Sequence, residues 1–433
     1  MTQPAPTYAT LDEWIARTAL TLPFDVPQGF DEAVDALIAA LGESVELLGL
    51  GEPLHGGREF LFFRNRFFQR LVEAHGYSAI AVESSFPRGW LVDDYIGGRG
   101  PTTYEDVQKA GFSHGFGRLE ANRELVEWMR RYNADARGRT PLRFYGFDSP
   151  TEMTSTESPR RLLSYVLDYL ASVGSDDAER RGRIEMWLGD DADWENPEAM
   201  YDSDKSIGLS PAATALRAET EDLLTELATR RPELGSGDGA DAYGKAVRHA
   251  ELARELLNYH AILARPSDST QRLIDGLGLR DVMMAANLQY ILSRERGRGK
   301  VLVFAHNGHV QRGPMHWQLG SHDLTWWPAG THLSMTLGAR YRVIGMGLVA
   351  AEQLGIGRPE ERTLEARLAG VPGPIRAVLT QRGEGLPTAE VDALAPRTTT
   401  HPGYFPFRRA SLADFDVLAV FDAVTMDSGA PRL

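Results

Sequence analysis

Six short apolar runs punctuate this chain, at residues 46–50 (E-L-L-G-L), 79–83 (A-I-A-V-E), 142–147 (L-R-F-Y-G-F), 300–305 (K-V-L-V-F-A), 342–347 (R-V-I-G-M-G) and 416–421 (D-V-L-A-V-F). Runs of this length with little polar alternation predict strands buried on both faces, as in a parallel sheet layered between helices. Helical periodicity fills several of the intervals: residues 58–75, rich in Phe and stopped by Gly76, then 122–131 and 280–296. Strand alternating with helix sets the class as α/β. From about residue 150 to 280 the pattern changes. Segments 160–173, 211–231 and 240–264 read as helices, with a polar loop G-S-G-D-G at 235–239 and no convincing strand. The expected architecture is a mainly parallel β-sheet core flanked by helices, with a large helical insertion. Residues 1–149 and 280–433 form the two halves of the core, and residues 150–279 the insertion, which would cover an active-site cleft at the strand ends. Residues 353–415 are Pro/Gly-rich and hard to assign, and no internal repeat is found.

Composition narrows the classes of partner. Hydrophobic residues at 42% and charged residues at 24% supply a large core and argue against disorder. A net charge of −14 argues against a nucleic-acid binder, which needs dense Lys and Arg, and leaves a small molecule as the expected partner. The absence of cysteine excludes disulfides, thiolate nucleophiles, zinc–thiolate sites and iron–sulfur clusters. The segment M-T-Q-P-A-P-T-Y lacks the basic and apolar regions of a secretory signal, and no run of about 18 apolar residues predicts a membrane span. A cytoplasmic protein without membrane attachment is expected.

The candidate chemistry sits where predicted strands stop. Ligands of open α/β sheets bind beyond the carboxyl ends of parallel strands. Glu52 and His55 occur there in G-L-G-E-P-L-H-G, Glu83 in A-I-A-V-E, and His306 and His309 in F-A-H-N-G-H. Five acid–base groups from three strands point to one pocket for proton transfer or metal binding. His55 lies close to the start of the next helix, a position expected to keep an imidazole neutral and basic. Glu83 follows apolar residues and needs a cationic partner, for which Arg64 and Arg88 are the expected candidates. Asn307 and Gly308 favour a tight turn that aims both flanking histidines at one point. Arg64, between Phe63 and Phe67, is expected to orient a carboxylate or steady an oxyanion. Arg58, Asp148 and the tryptophans Trp317, Trp326 and Trp327 are assigned to substrate binding, the last three because aromatics on a long connection stack on bulky apolar ligands. No G-x-S-x-G elbow supports a serine nucleophile. G-A-D-A-Y-G-K at 239–245 lacks both the hydroxyl residue and the preceding strand of a phosphate loop.

Taken together, G-E-P-L-H-G-G-R-E-F, L-F-F-R-N-R-F-F, A-V-E-S-S-F, F-Y-G-F-D, L-R-D-V-M-M-A-A-N and F-A-H-N-G-H-V resemble the erythromycin esterase family from about residue 45 to 350. The G-E-x-x-H-G and H-N-x-H pieces are the specific ones. The resemblance implies an α/β core with a large helical part and a cleft between them. It also implies hydrolysis of a macrolide lactone ester, with His55 as general base and Glu52, Glu83, Arg64, His306 and His309 as the rest of the polar site. Two departures bear on the substrate: the segment usually written G-E-A-T-H-G carries Leu54 in place of a small hydroxyl residue, and the Trp-containing stretch 311–328 looks longer than the family norm. The expected reaction is cofactor-free ester hydrolysis, with a protonated His306 or His309 steadying the oxyanion. Two alternatives stay open: the same His/Glu set binding Zn²⁺ or Mn²⁺ to activate water, and a biosynthetic elimination, cyclisation or acyl transfer on a natural product.

Overall fold

In the computed structural model, which describes residues 8–135, 138–151, 156–380 and 383–430, the six predicted strands share one sheet with two unpredicted ones. The strands in chain order are β1 (Ala19–Thr21), β2 (Leu47–Glu52), β3 (Tyr77–Ser85), β4 (Arg143–Asp148), β5 (Lys300–His306), β6 (Met315–Leu319), β7 (His322–Trp326), β8 (Tyr341–Ala350), β9 (Ile375–Leu379) and β10 (Val417–Ala423). The large sheet runs β1-β9-β10-β8-β2-β5-β3-β4. Every pairing from β10 to β4 is parallel, and only the β1–β9 and β9–β10 pairs are antiparallel. The expected mainly parallel α/β core is therefore present.

The continuous apolarity of these strands has a direct cause. Alternate residues point to opposite faces, and both faces are covered. Leu48, Leu50, Ile80, Val82, Leu302 and Phe304 join one core with the Phe-rich helix Arg58–Ala74. Leu47, Ala79, Ala81, Val301 and Val303 join the other with the long helices Ala240–Leu263 and Ser269–Glu295. Phe60, Phe63, Phe67 and Phe68 are almost wholly buried, each burial worth about 1.5–3 kcal/mol.

Between β4 and β5 the chain contains the helices Arg160–Ser172, Ala178–Leu188, Pro211–Thr229, Ala240–Leu263 and Ser269–Glu295. The glycines at 237 and 239 open the helix Ala240–Leu263 through a short 3₁₀ turn, so the G-A-D-A-Y-G-K segment belongs to a helix start. One expectation is corrected, and a stretch left without an assignment gains a strand. The stretch 311–328 is a β6–β7 hairpin turning at Gly320 and Ser321, not an irregular connection. Residues 353–415 contribute β9, which pairs antiparallel with β10 on one side and with the edge strand β1 on the other. All three strands are only five residues long; β6 and β7 form a two-stranded ribbon in which polar positions alternate with apolar ones, and β9, buried between β1 and β10, carries Arg376 within its apolar run. Met200, Tyr259, Leu273 and Leu277 of the helical region meet Met315, Leu324 and Trp326 of the hairpin in a separate small apolar cluster.

Candidate active site

Four neighbouring parallel strands, β2-β5-β3-β4, present Glu52, His306, Glu83 and Asp148 at their carboxyl ends. Glu52 and His306 are directly in register. The chain leaving β2 turns at Gly56, whose φ of 77° and approach to Ala430, 2.7 Å from where a Cβ would sit, admit only glycine. The turn swings His55 back over the strand end, and its Nδ1 lies 2.8 Å from Oε1 of Glu52. A carboxylate can only accept, so Nδ1 carries the proton and Nε2 is left facing Glu83, 3.7 Å from its Oε1. The His55 side chain keeps 24% of its exposure, whereas Glu52 and Glu83 are buried. The second Glu52 oxygen has no hydrogen-bond partner among the described residues.

Glu83 is the hub. Its Oε2 accepts the main-chain N–H of His306 at 2.8 Å, and its Oε1 lies 3.2 Å from Nη2 of Arg280 and 3.3 Å from Nε2 of His309. Arg280 also clasps Asp148 through Nε and Nη2, at 3.0 and 2.7 Å. His114 also reaches Asp148, its Nε2 2.9 Å from the Oδ2 that Arg280 shares, on a backbone with φ of 55°, uncommon outside glycine. His309 donates Nδ1–H to Asp281 at 2.8 Å.

This arrangement sets the charges. Burial opposes charging of Glu83, but His309, His55 and Arg280 outweigh it and hold the carboxyl well below its ordinary range. Burial likewise opposes Asp148, and Arg280 and His114 bring it down. For His309 the desolvation penalty is exceeded by Asp281 and Glu83, which lift the imidazole to about 10 despite Arg280 nearby. His55 is also raised, since Glu83 and Glu52 overcome burial. Glu52 is raised by burial, partly offset by His55.

Several expectations are revised. The adjoining helix start does not lower the His55 pKa, because two carboxylates act at shorter range than a helix end and raise it. His306 is not a cation: Gly308 donates to its Nδ1 at 3.1 Å, its Nε2 lies 3.1 Å from the Pro53 carbonyl, and burial pushes it down to about 3. It forms a wall beside His55, with ring centroids 5.3 Å apart. The partner of Glu83 is Arg280; Arg88 pairs instead with Glu157. Arg64 does reach the site floor, lining one small cavity with Glu52, Glu83 and Phe116. Its guanidinium donates to Asn65, lies over Phe304, and is lowered to about 10 by burial.

Arg58 stays outside the cluster, paired with Glu120 and stacked on Phe62 at 43% exposure, because the helix turns that position to the surface. Leu54 is buried in the core that also holds Phe116 and Phe304. The three tryptophans part company. Trp326 turns inward and donates to Asp281 at 2.6 Å, Trp317 packs near Phe405, and Trp327 is 57% exposed. Arg280, Asp281, His114, Phe116 and Phe405 escape the sequence reading. Only the adjacent Arg280 and Asp281, set in an otherwise apolar helical face, carried a signal, and nothing local tells which way they point.

A family profile described as Erythromycin esterase matches residues 72–424. Among characterised proteins, erythromycin esterase type II of Escherichia coli is 23% identical over 341 residues, covering 77% of this chain and 76% of its own. The type I enzyme of Escherichia coli is 25% identical over 320 residues, 73% of each chain. Among solved structures, a Bacillus cereus protein superposes with a TM-score of 0.72 at 18% identity over 97% of this chain and 98% of its own. A succinoglycan biosynthesis protein gives 0.70 at 19% identity over 96% and 97%. A mutant erythromycin esterase in its open conformation gives 0.68 at 19% identity over 96% and 100%. At these identities the structural matches establish the fold alone.

Proposed function

Because the chain belongs to the erythromycin esterase family, we propose that it hydrolyses a lactone ester of a macrolide or another bulky natural product, with His55 as general base. One observation carries this reading: Glu52 occupies Nδ1 of His55 and leaves Nε2 as a basic nitrogen on a partly exposed ring. Nε2 takes a proton from water as the water oxygen attacks the carbonyl carbon. The carbonyl π electrons move to oxygen, giving a tetrahedral oxyanion. Its collapse breaks the bond to the ring oxygen, which leaves as an alcohol with the proton returned by His55. Such proton transfer contributes about 10²–10⁴-fold. His309 and Arg280, both cationic and both beside Glu83, are the groups placed to steady the oxyanion. Glu52 and Glu83 stabilise the imidazolium that forms. His306 contributes shape rather than charge.

The test is mass spectrometry of a panel of macrolides incubated with the protein. A product heavier by one water, absent with His55→Ala, is the expected result. An unchanged panel together with an unchanged panel of simpler lactones would sink the hydrolytic reading.

A further inference from the structure

One carboxylate near the site has no role in the steps above, yet it gathers donors from three segments. Asp281 is fully buried on the helix Ser269–Glu295. Its Oδ1 accepts Nδ1–H of His309 at 2.8 Å and the main-chain N–H of Ala329 at 2.9 Å. Its Oδ2 accepts Nε1–H of Trp326 at 2.6 Å. Trp326 ends β7, and Ala329 opens the helix Ala329–Leu337, so the exposed Trp327 lies on a short strap anchored at both sides by the same carboxylate. The hairpin also abuts the H-N-G-H turn directly: a Cβ on Gly308 would lie 2.9 Å from the Met315 sulfur.

We propose that Asp281 is a positioning residue that keeps His309 doubly protonated, with Nε2–H directed at Glu83, and ties this histidine to the β6–β7 hairpin through Trp326. The proposal rests on the hydrolytic reading for its effect on rate, but not for its effect on His309. The physical argument is one of balance. His309 is buried; the charged groups facing it are Asp281 and Arg280 from one helix and Glu83 from β3, and the titratable imidazoles of His55 and His306 also lie close enough to act on it. Arg280 approaches Nε2 at 3.2 Å and disfavours a second cation. Glu83 alone is shared with Arg280 and His55, whereas Asp281 contacts neither of them in any hydrogen bond among the described residues. Its charge is therefore the one chiefly committed to His309. Its fixed orientation, held by the indole and by the Ala329 amide, stops the imidazole from rotating.

The experiment follows the ring nitrogens of His309 by ¹⁵N NMR through a pH titration, beside kinetics, for the wild type, Asp281→Asn and Trp326→Phe. Wild-type His309 is expected to remain doubly protonated from about pH 6 to about pH 9, above the ordinary histidine value of about 6.5. Asp281→Asn should bring its titration below neutrality and lower kcat about tenfold or more, with KM nearly unchanged. Trp326→Phe should shift both readouts in the same direction by a smaller amount. Wild-type His309 titrating at its ordinary value overturns the proposal, and this arm needs no variant to fold. A folded Asp281→Asn that keeps His309 charged above neutrality overturns it as well, and an unmoved Trp326→Phe overturns the tie to the hairpin. Should the wild type cleave no lactone, the NMR arm still decides the role of Asp281, so the two readings fail separately.

Discussion

Glu83 holds the main-chain N–H of His306 through one carboxylate oxygen at 2.8 Å and offers the other to Arg280, His309 and His55. The carboxylate is thus locked to the neighbouring strand and cannot follow its cationic partners if they move. A buried anion with two cations and a backbone donor is the electrostatic centre from which the behaviour of the site follows.

Glu83→Gln removes this anion while leaving Arg280 and His309 buried. Breaking a buried pair by deleting one partner costs about 3–5 kcal/mol. The expected result in urea unfolding is a loss near the lower end of that range, because Asp148 still pairs with Arg280. Activity should fall with it, since His309 loses one of the two carboxylates that keep it charged.

His55→Ala separates chemistry from folding. The side chain is partly exposed, but its removal leaves buried Glu52 without its hydrogen-bond partner, so a stability loss of about 1–3 kcal/mol is expected with the fold retained. Turnover should drop about 10²–10⁴-fold. Circular dichroism and kcat/KM on the same preparation check both halves, and a folded variant with wild-type turnover would refute the assignment.

The pH dependence has four limbs, two in the rate and two in stability. His55 must be neutral to act as base, and its folded pKa is raised, so kcat/KM should climb with pH through a midpoint above the ordinary value of about 6.5. The rate should decline again as pH approaches about 10, where His309 loses its proton. Stability behaves differently. Glu83 and Asp148 have depressed values, so their contribution is present above the ordinary carboxyl range and is lost as pH falls through their folded values. His309 is raised, so its contribution is complete below about 6.5 and disappears as pH rises towards about 10. Denaturant midpoints and kcat/KM measured across the same pH series resolve the limbs.

Metal dependence is tested by dialysis against a chelator. Among the described residues, no group of three or more His, Asp or Glu side chains is arranged to hold an ion. Arg280 already lies against the Glu83 oxygen that His55 and His309 face, and its guanidinium would repel a cation there. Activity is expected to survive chelation unchanged. Loss of activity that Zn²⁺ or Mn²⁺ restores would favour metal-activated water.

Gly51→Ala tests how strand ends position the histidine turn. A Cβ at Gly51 would lie 2.4 Å from Oδ1 of Asn307 and 2.8 Å from the Val310 side chain. Asn307 is pinned between strands by donating to the Met346 carbonyl at 2.7 Å, so it cannot yield freely. Overpacking of this kind costs about 1–3 kcal/mol. The expected outcome is a modest fall in thermal midpoint and a larger fall in kcat, as His306 and His309 shift with the turn.

Much of this molecule was determined by local sequence. Apolar runs long enough for strands, separated by helical periods, specify a parallel sheet with both faces covered, and a polar residue closing such a run must emerge at the sheet's edge. Glu52, Glu83, Asp148 and His306 were legible for that reason, and His55 and His309 followed because tight turns keep them close to the strand ends. Tertiary structure alone decided the partners. Arg280 and Asp281 lie more than a hundred residues from Asp148 and Glu83, and the rotation of their helix, set by packing on the sheet, aims one at Glu83 and the other at His309. The same packing turned Arg58 to the surface, gave Trp326 a buried acceptor and spent both nitrogens of His306 on backbone groups. Periodicity states which side of its own helix or strand a residue occupies. What it meets there is fixed only when elements distant in sequence pack together, and charge state follows from that meeting.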